Sequence, residues 1–195
     1  MKDIDGNVYR TVKIGKQVWM AENLKVMHYR NGEPILNVIR NLEWKKLKTS
    51  ACCVYDNDET NISTYGLLYN WYAVNDSRGL VPKGWHVPRD EEWRFLIDHL
   101  GGNKVTGGKM KETGITYWRS PNAEATNESG FSGLPGGYRD HNGSFQDMGY
   151  YAKFWSSTEY SSGYAWYRGL NYYSSEVYRY YYDKRYGFSV RCIKE

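Results

Sequence analysis

Apolar positions along this chain fall into short alternating stretches rather than long runs. Val8 to Trp19 alternates in two pieces separated by Gly15-Lys16, with Asp5-Gly6-Asn7 ahead of them, and predicts two short strands. Met20 to Leu24 follows as a turn or strand end. Residues 28–50 have no clear period. Asn31-Gly32 and Pro34 interrupt them, and a short helix is predicted near Leu42 to Leu47. Tyr65 to Val74 carries little polar surface and predicts a buried helix. The clearest helix is Asp90 to Leu100, where Trp93, Leu96, Ile97 and Leu100 recur at i, i+3, i+4 and i+7 and are expected to be buried. Asp90, Glu91 and Glu92 complement its positive first turn, and Gly101-Gly102 ends it.

Beyond Gly108 the pattern predicts no further helix. Asn142-Gly143 is a hairpin signal, and turn signals recur near Gly149, Ser162-Gly163, Asn171 and Asp183 at the spacing of an antiparallel meander. Phe188, Val190 and Cys192 alternate with Ser189 and Arg191, so Gly187 to Ile193 is expected as a strand of the central sheet. Two helices early and a β-rich second half make a single α+β domain over residues 1–195, without tandem repeats.

Composition changes this picture at one place. Half of the chain's 20 tyrosines lie between Tyr160 and Tyr186, interspersed with Ser and Gly. A core of that composition would leave many phenol hydroxyls seeking buried partners. A flexible tail would avoid aromatics. A contact surface suits it, because Tyr offers broad amphipathic area with few rotatable bonds. If Glu176 to Tyr182 is a strand, alternation puts Val177, Arg179 and Tyr181 on the core side and Tyr178, Tyr180 and Tyr182 on the solvent side. Trp166, Arg168, Val177, Arg179 and Lys184 read as fixed frame between the tyrosines.

Charge and candidate chemistry mostly exclude. A net charge of +4 with no long basic block argues against nucleic acid, and no apolar run is long enough to span a membrane. Met1-Lys2-Asp3 begins no signal peptide, so the chain is expected to be either leaderless or separated from its leader. Cys52, Cys53 and Cys192 include no Cys-x-x-Cys and no His at ligand spacing, so no metal is expected. Reduced, buried thiols are favoured over a bond from Cys52 or Cys53 to Cys192. The acidic turn Asp56 to Glu59 reads as a solvated loop rather than a calcium site. His86 reads as structural, for want of a partner carboxylate in a recognisable motif.

Several blocks in order resemble the Fibrobacter succinogenes major paralogous domain. They are Val18 to Lys25, Tyr69 to Val74, Gly84 to Pro88, Ala125 to Phe131, Leu134 to Arg139, Trp155 to Glu159 and Tyr186 to Cys192, and they cover nearly the full chain. The resemblance implies a C-type-lectin-like fold related to formylglycine-generating enzymes, in a family with many secreted or surface-attached bacterial members. Many relatives carry a Cys where this chain has Val81, so the disulfide the family would imply to the final cysteine is absent unless Cys52 or Cys53 substitutes. Ser120-Pro121-Asn122 lacks the acidic residue of the sugar-binding lectins' calcium motif, and no Trp-Asn-Asp occurs.

The Tyr/Ser segment is similar to variable proteins of diversity-generating retroelements, in which a C-type-lectin fold displays residues randomised at adenines. AAC codons randomised this way yield Asn, Tyr, Ser, Asp, Gly and His, but never Trp, Lys, Glu, Gln or Met. Tyr160, Tyr164, Tyr167, Tyr172, Tyr173, Tyr178, Tyr180, Tyr181, Tyr182, Asp183 and Tyr186 fit that set. An earlier patch, Asp140, His141 and Asp147, is a candidate to join it, which gives a display region of about residues 138–186. The expectation is a non-enzymatic protein without cofactor, on a bacterial surface or phage particle, binding a protein or glycan through the Tyr-rich face. The alternatives are a structural surface module whose tyrosines pack against neighbouring chains, and a formylglycine-generating type of enzyme. Cys192 in Ser-Val-Arg-Cys does not supply the reactive pair that the enzyme needs.

Overall fold

Hydrogen bonding between distant segments, more than local helix or strand propensity, decides how this chain is laid out. The computed structural model describes residues 1–195. Strands β1 (Thr11–Ile14) and β2 (Gln17–Met20) form the predicted hairpin, with Gly15 at φ 60° in its two-residue turn. Helix α1 (Asn41–Lys45) stands where the short helix was expected and buries Trp44. Strand β3 (Cys52–Cys53) pairs with β4 (Leu68–Tyr69), and helices α2 (Ile62–Tyr65) and α3 (Trp71–Val74) flank β4.

The single helix expected over Tyr65 to Val74 is therefore broken. Gly66 sits at φ 71°, ψ −157°, and a Cβ there would lie 2.7 Å from the Leu24 carbonyl oxygen. The chain then runs extended, with Leu67 N–H donating to Leu24 O and Tyr69 N–H to Phe188 O. Asn70 restarts a helical turn by accepting from the Ala73 N–H. An apolar run without a period cannot announce such pairing; the distant partners decide it.

Strand β5 (Trp85–His86) leads to helix α4 (Asp90–His99), which buries Trp93, Leu96, Ile97 and, just past its end, Leu100, as the periodicity predicted. Helix α5 (Asn103–Met110) was not anticipated, because Gly107 and Gly108 lower its intrinsic propensity. The glycines serve packing. A Cβ at Gly107 would meet Glu176 O at 2.5 Å, and one at Gly108 would meet Glu124 O at 2.3 Å.

The second half is β-rich, but only its three strands over residues 151–183 form the predicted antiparallel meander, and the hairpin before them joins by a parallel contact. Strands β6 (Gly136–Arg139), β7 (Phe145–Met148), β8 (Tyr151–Ser161), β9 (Tyr164–Asn171) and β10 (Tyr178–Asp183) form a sheet ordered β10-β9-β8-β6-β7, antiparallel except where β6 meets β8. Strand β11 (Ile193–Lys194) closes a second sheet ordered β1-β2-β11-β5. The architecture is α+β with a curled, β-rich second half, as expected of a C-type-lectin-like fold.

Gly187 to Ile193 is not the single strand that alternation predicted. Gly187 bridges to Arg139, Phe188 to Tyr69 and Ser189 to Phe154, before Ile193 pairs with both Trp19 and His86. Phe188 and Val190 are buried as expected, but Ser189 and Arg191 are buried too. The segment threads between sheets, so it has no solvent side.

Strand pleating separates the two larger of the three cores, the third being a small one around Trp44, Leu47, Cys53 and Leu68. Trp19 and Phe154 enter a core with Trp93, Leu96 and Phe131, while their neighbours Met20 and Trp155 enter a core with Tyr69, Val190 and Phe188 on the other side. Buried cations tie down the irregular backbone around these cores. Arg191 donates to the carbonyls of Met20, Phe131 and Ser132, and Lys111 Nζ to those of Ala123, Asn171 and Ser174. Arg139 does the same for Val38, Ile39 and Gly143. All three cysteines are free and buried, and Val81 shares the core of Cys192. No helix is long and apolar enough to cross a membrane.

Candidate functional site

The tyrosine-rich stretch forms the last two strands of the five-stranded sheet, and β10 is its free edge. Register pairs Tyr178 with Gly169, Tyr180 with Tyr167, Tyr181 with Trp166 and Asp183 with Tyr164. Side chains of paired residues share a face, so the tyrosines are dealt onto two faces.

One face carries Tyr178, Tyr180 and Tyr182 over Tyr167. It forms the wall of a cleft of ≈ 400 Å³, bounded across the sheet by Tyr138, Tyr151 and Asp147. Tyr182 stacks on Tyr167 at 5.2 Å between centroids and on Tyr186 at 4.5 Å, and its ring also lies against Phe188 at 6.0 Å. Burial raises the Tyr182 and Tyr186 hydroxyl pKa values, that of Tyr186 to about 12, so these phenols stay protonated donors at neutral pH. Lys153 stands at the floor, its Nζ 3.5 Å from the Tyr138 centroid and 4.9 Å from that of Tyr182. Burial lowers its pKa to about 8, against the opposing pull of Asp147 and Asp140.

The other face carries Arg179 and Tyr181. Tyr160 stacks flat on Tyr181, with centroids 3.8 Å apart and planes 8° from parallel, and meets Trp166 edge-on at 4.9 Å. Tyr180 stacks on Tyr181 at 4.9 Å, so the aromatic band continues around the free edge and joins the two faces. Beneath this face the Asp90 carboxylate, at the start of α4, accepts from Arg168 at 2.7 Å and from Arg179 at 3.1 Å. Burial pulls the Asp90 pKa up, but hydrogen bonds from the two arginines outweigh it and hold the group below the ordinary value.

Of the residues expected to form the display, Tyr160, Tyr164, Tyr173, Tyr178 and Tyr180 are exposed, at 36–53 % of their full surface. Tyr172, Tyr181, Tyr182, Asp183 and Tyr186 are half-buried, and Tyr167 is buried beneath the cleft. Tyr173 lines the cleft and faces Tyr151, whereas Tyr172 lies outside it, against Tyr150 and the core of Trp93 and Phe131. Asp183 is engaged by Arg185. The earlier patch joins the same surface: Asp147 lines the cleft, and the His141 ring lies 5.3 Å from Tyr186 with Asp140 paired to it.

Two expectations are corrected. Tyr178, Tyr180 and Tyr182 do share a face, but Tyr182 turns onto Phe188, whereas Arg179 and Tyr181 do not reach the core. An edge strand has no second layer over its outer part, so alternation alone does not say which side is wet. Trp166, expected as fixed frame, is half-buried and lies under Arg179, Tyr160 and Tyr181. Sequence reasoning also missed Lys153, although a lone lysine inside the apolar run Tyr151 to Trp155 was a signal. For His86 the structure supplies the carboxylate that the sequence did not reveal: Nε2 lies 2.8 Å from Glu92 Oε1. That carboxylate also accepts from the Arg89 N–H and caps α4, which supports the structural reading.

Residues 12–194 match the family model described as the Fibrobacter succinogenes major domain. No curated protein matches the chain.

Proposed function

The chain belongs to the Fibrobacter succinogenes major domain family, and we propose that it is a non-enzymatic binding protein of that family, which uses its tyrosine band to hold a ligand. One observation carries the reading: aromatic rings occupy both faces of β10 and meet around its edge, so a contiguous aromatic surface faces solvent on a free strand. A monomer seldom leaves such a patch exposed without a partner. Tyrosines held by stacking lose little freedom on binding and offer both ring faces and hydroxyls. Behind them the frame is rigid, with Arg168 and Arg179 clamped to α4 and Lys184 bound to Glu159 and the Ser162 carbonyl. That division between fixed frame and adaptable surface suits a protein whose Tyr codons are diversified by a retroelement and which acts on a bacterial surface or phage particle.

Two experiments test this. Wild-type protein and a variant with Tyr160, Tyr164, Tyr178 and Tyr180 changed to Ala are compared on glycan arrays and against bacterial surface-protein extracts. Binding that depends on these tyrosines is expected, and binding equal in both proteins would reject the reading. Sequencing around the gene tests the diversification separately: a near-copy of its 3′ end beside a reverse transcriptase gene is expected, with adenine mismatches under the Tyr codons.

A further inference from the structure

Lys153 is 6 % exposed, and its ammonium makes neither a hydrogen bond nor an ion pair with any protein group. The other buried lysines are treated differently. Lys111 Nζ donates to three carbonyls, and Lys184 Nζ to a carboxylate and a carbonyl. A buried ammonium carries three donors whose loss of water must be compensated. Around Lys153 no protein acceptor stands in contact: ring faces, chiefly those of Tyr138 and Tyr182, and the more distant carboxylates of Asp147 and Asp140 offset its burial, and the ammonium meets solvent only through the cleft. The ammonium also stands at the floor of the ≈ 400 Å³ tyrosine cleft rather than in a closed core.

We propose that this cleft takes the carboxylate-bearing sugar at the end of an acidic glycan, with Lys153 Nζ as the group that binds its carboxylate. The inference rests on the binding function proposed above and names its ligand class. A carboxylate entering the cleft would supply the acceptors that the ammonium lacks, in a site where ring faces exclude water and strengthen the charge-assisted bonds. The cation already occupies the aromatic faces, so a cationic ligand is disfavoured. The rest of the lining favours sugar over acidic peptide: a concave space of this volume suits one or two pyranose rings, Tyr178 and Tyr180 offer flat faces to stack on them, and phenol hydroxyls suit sugar hydroxyls. Asp147 at the rim adds an acceptor for sugar hydroxyls and would repel a ligand carrying several negative charges.

The test uses the full chain, with glucuronate- and sialate-terminated oligosaccharides, their neutral counterparts, and a short Asp/Glu peptide as probes. Titration calorimetry should detect the acidic sugars and not the peptide, with the neutral counterparts about ten- to a hundredfold weaker. Lys153→Met should weaken the acidic sugars by a similar factor while leaving the neutral ones unchanged, and a thermal melt confirms that this variant is folded. Tyr178→Ala should weaken both kinds of sugar. If neutral sugars bind through Tyr178 but Lys153→Met changes nothing, the binding reading stands and the carboxylate inference falls. Preference for the acidic peptide, or no acidic-sugar binding up to about 10 mM, also overturns the inference.

Discussion

The guanidinium carbon of Arg179 lies 3.4 Å from the ring centroid of Trp166, on the face of the β9–β10 ribbon that Asp90 meets. This stacking places Trp166 among the surface rings, although its position in the sequence reads as frame. Trp166→Ala is therefore expected to cost only about 1 kcal/mol of stability, the worth of a partly exposed cation–π and ring contact. Phe188→Ala, by contrast, removes a ring from the middle of a core and should cost about 3–5 kcal/mol. Denaturant melts of the two variants check the ranking.

The three tyrosines on one face of β10 should separate in the same measurement. Tyr178 and Tyr180 are exposed, and changing both to Ala should lower stability by less than about 1 kcal/mol. Tyr182 packs on Tyr167, Tyr186 and Phe188, so Tyr182→Ala should cost about 2–3 kcal/mol by itself. Equal costs would mean that the face is uniformly exposed.

Asp90 ties β9 and β10 to α4, and its carboxyl has a lower pKa in the folded protein than in the unfolded chain. The sign follows from linkage. The unfolded chain binds a proton at Asp90 first as pH falls, so this contribution is complete above the ordinary carboxylate range and is lost as pH drops through the folded value. Asp90→Asn should cost about 2–4 kcal/mol at pH 7, because Arg168 is left buried without its counter-charge. The difference between wild type and variant should shrink below pH 4, as urea melts at pH 7 and pH 3 would reveal.

Burial raises the thiol pKa of Cys52 and Cys53 to about 12, and that of Cys192 is also raised. Thiolate is the reactive form, so at pH 8 an aromatic disulfide reagent should label none of the three in the folded protein. Full labelling is expected in denaturant. Fast labelling of any one of them in native buffer would show that its core opens readily.

The parts legible in the sequence were those set by local rules. The i, i+3, i+4 spacing of Trp93, Leu96, Ile97 and Leu100 needs no distant partner to be read, and neither do the turn signals that mark the meander. What escaped depended on distant contacts. Gly66 breaks a helix because Leu24 approaches it, and Gly107 and Gly108 sit in a helix because the backbone of residues 124, 175 and 176 requires their small size. Composition pointed to the tyrosine surface correctly, yet could not reveal Lys153 beneath it or tell Tyr182 from Tyr180. Those distinctions depend on how β10 lies over Phe188.

The path of residues 187–193 between the sheets has a consequence for synthesis. Tyr69, Phe154 and Trp19 wait for partners that leave the ribosome only after the whole tyrosine stretch has been made. A ribosome that stops within that stretch releases a chain whose cores have no closing piece, and such a chain is a substrate for proteolysis. Closure of both cores therefore requires translation through residues 160–186, which makes the display surface a stretch that must be synthesised before the frame behind it is complete.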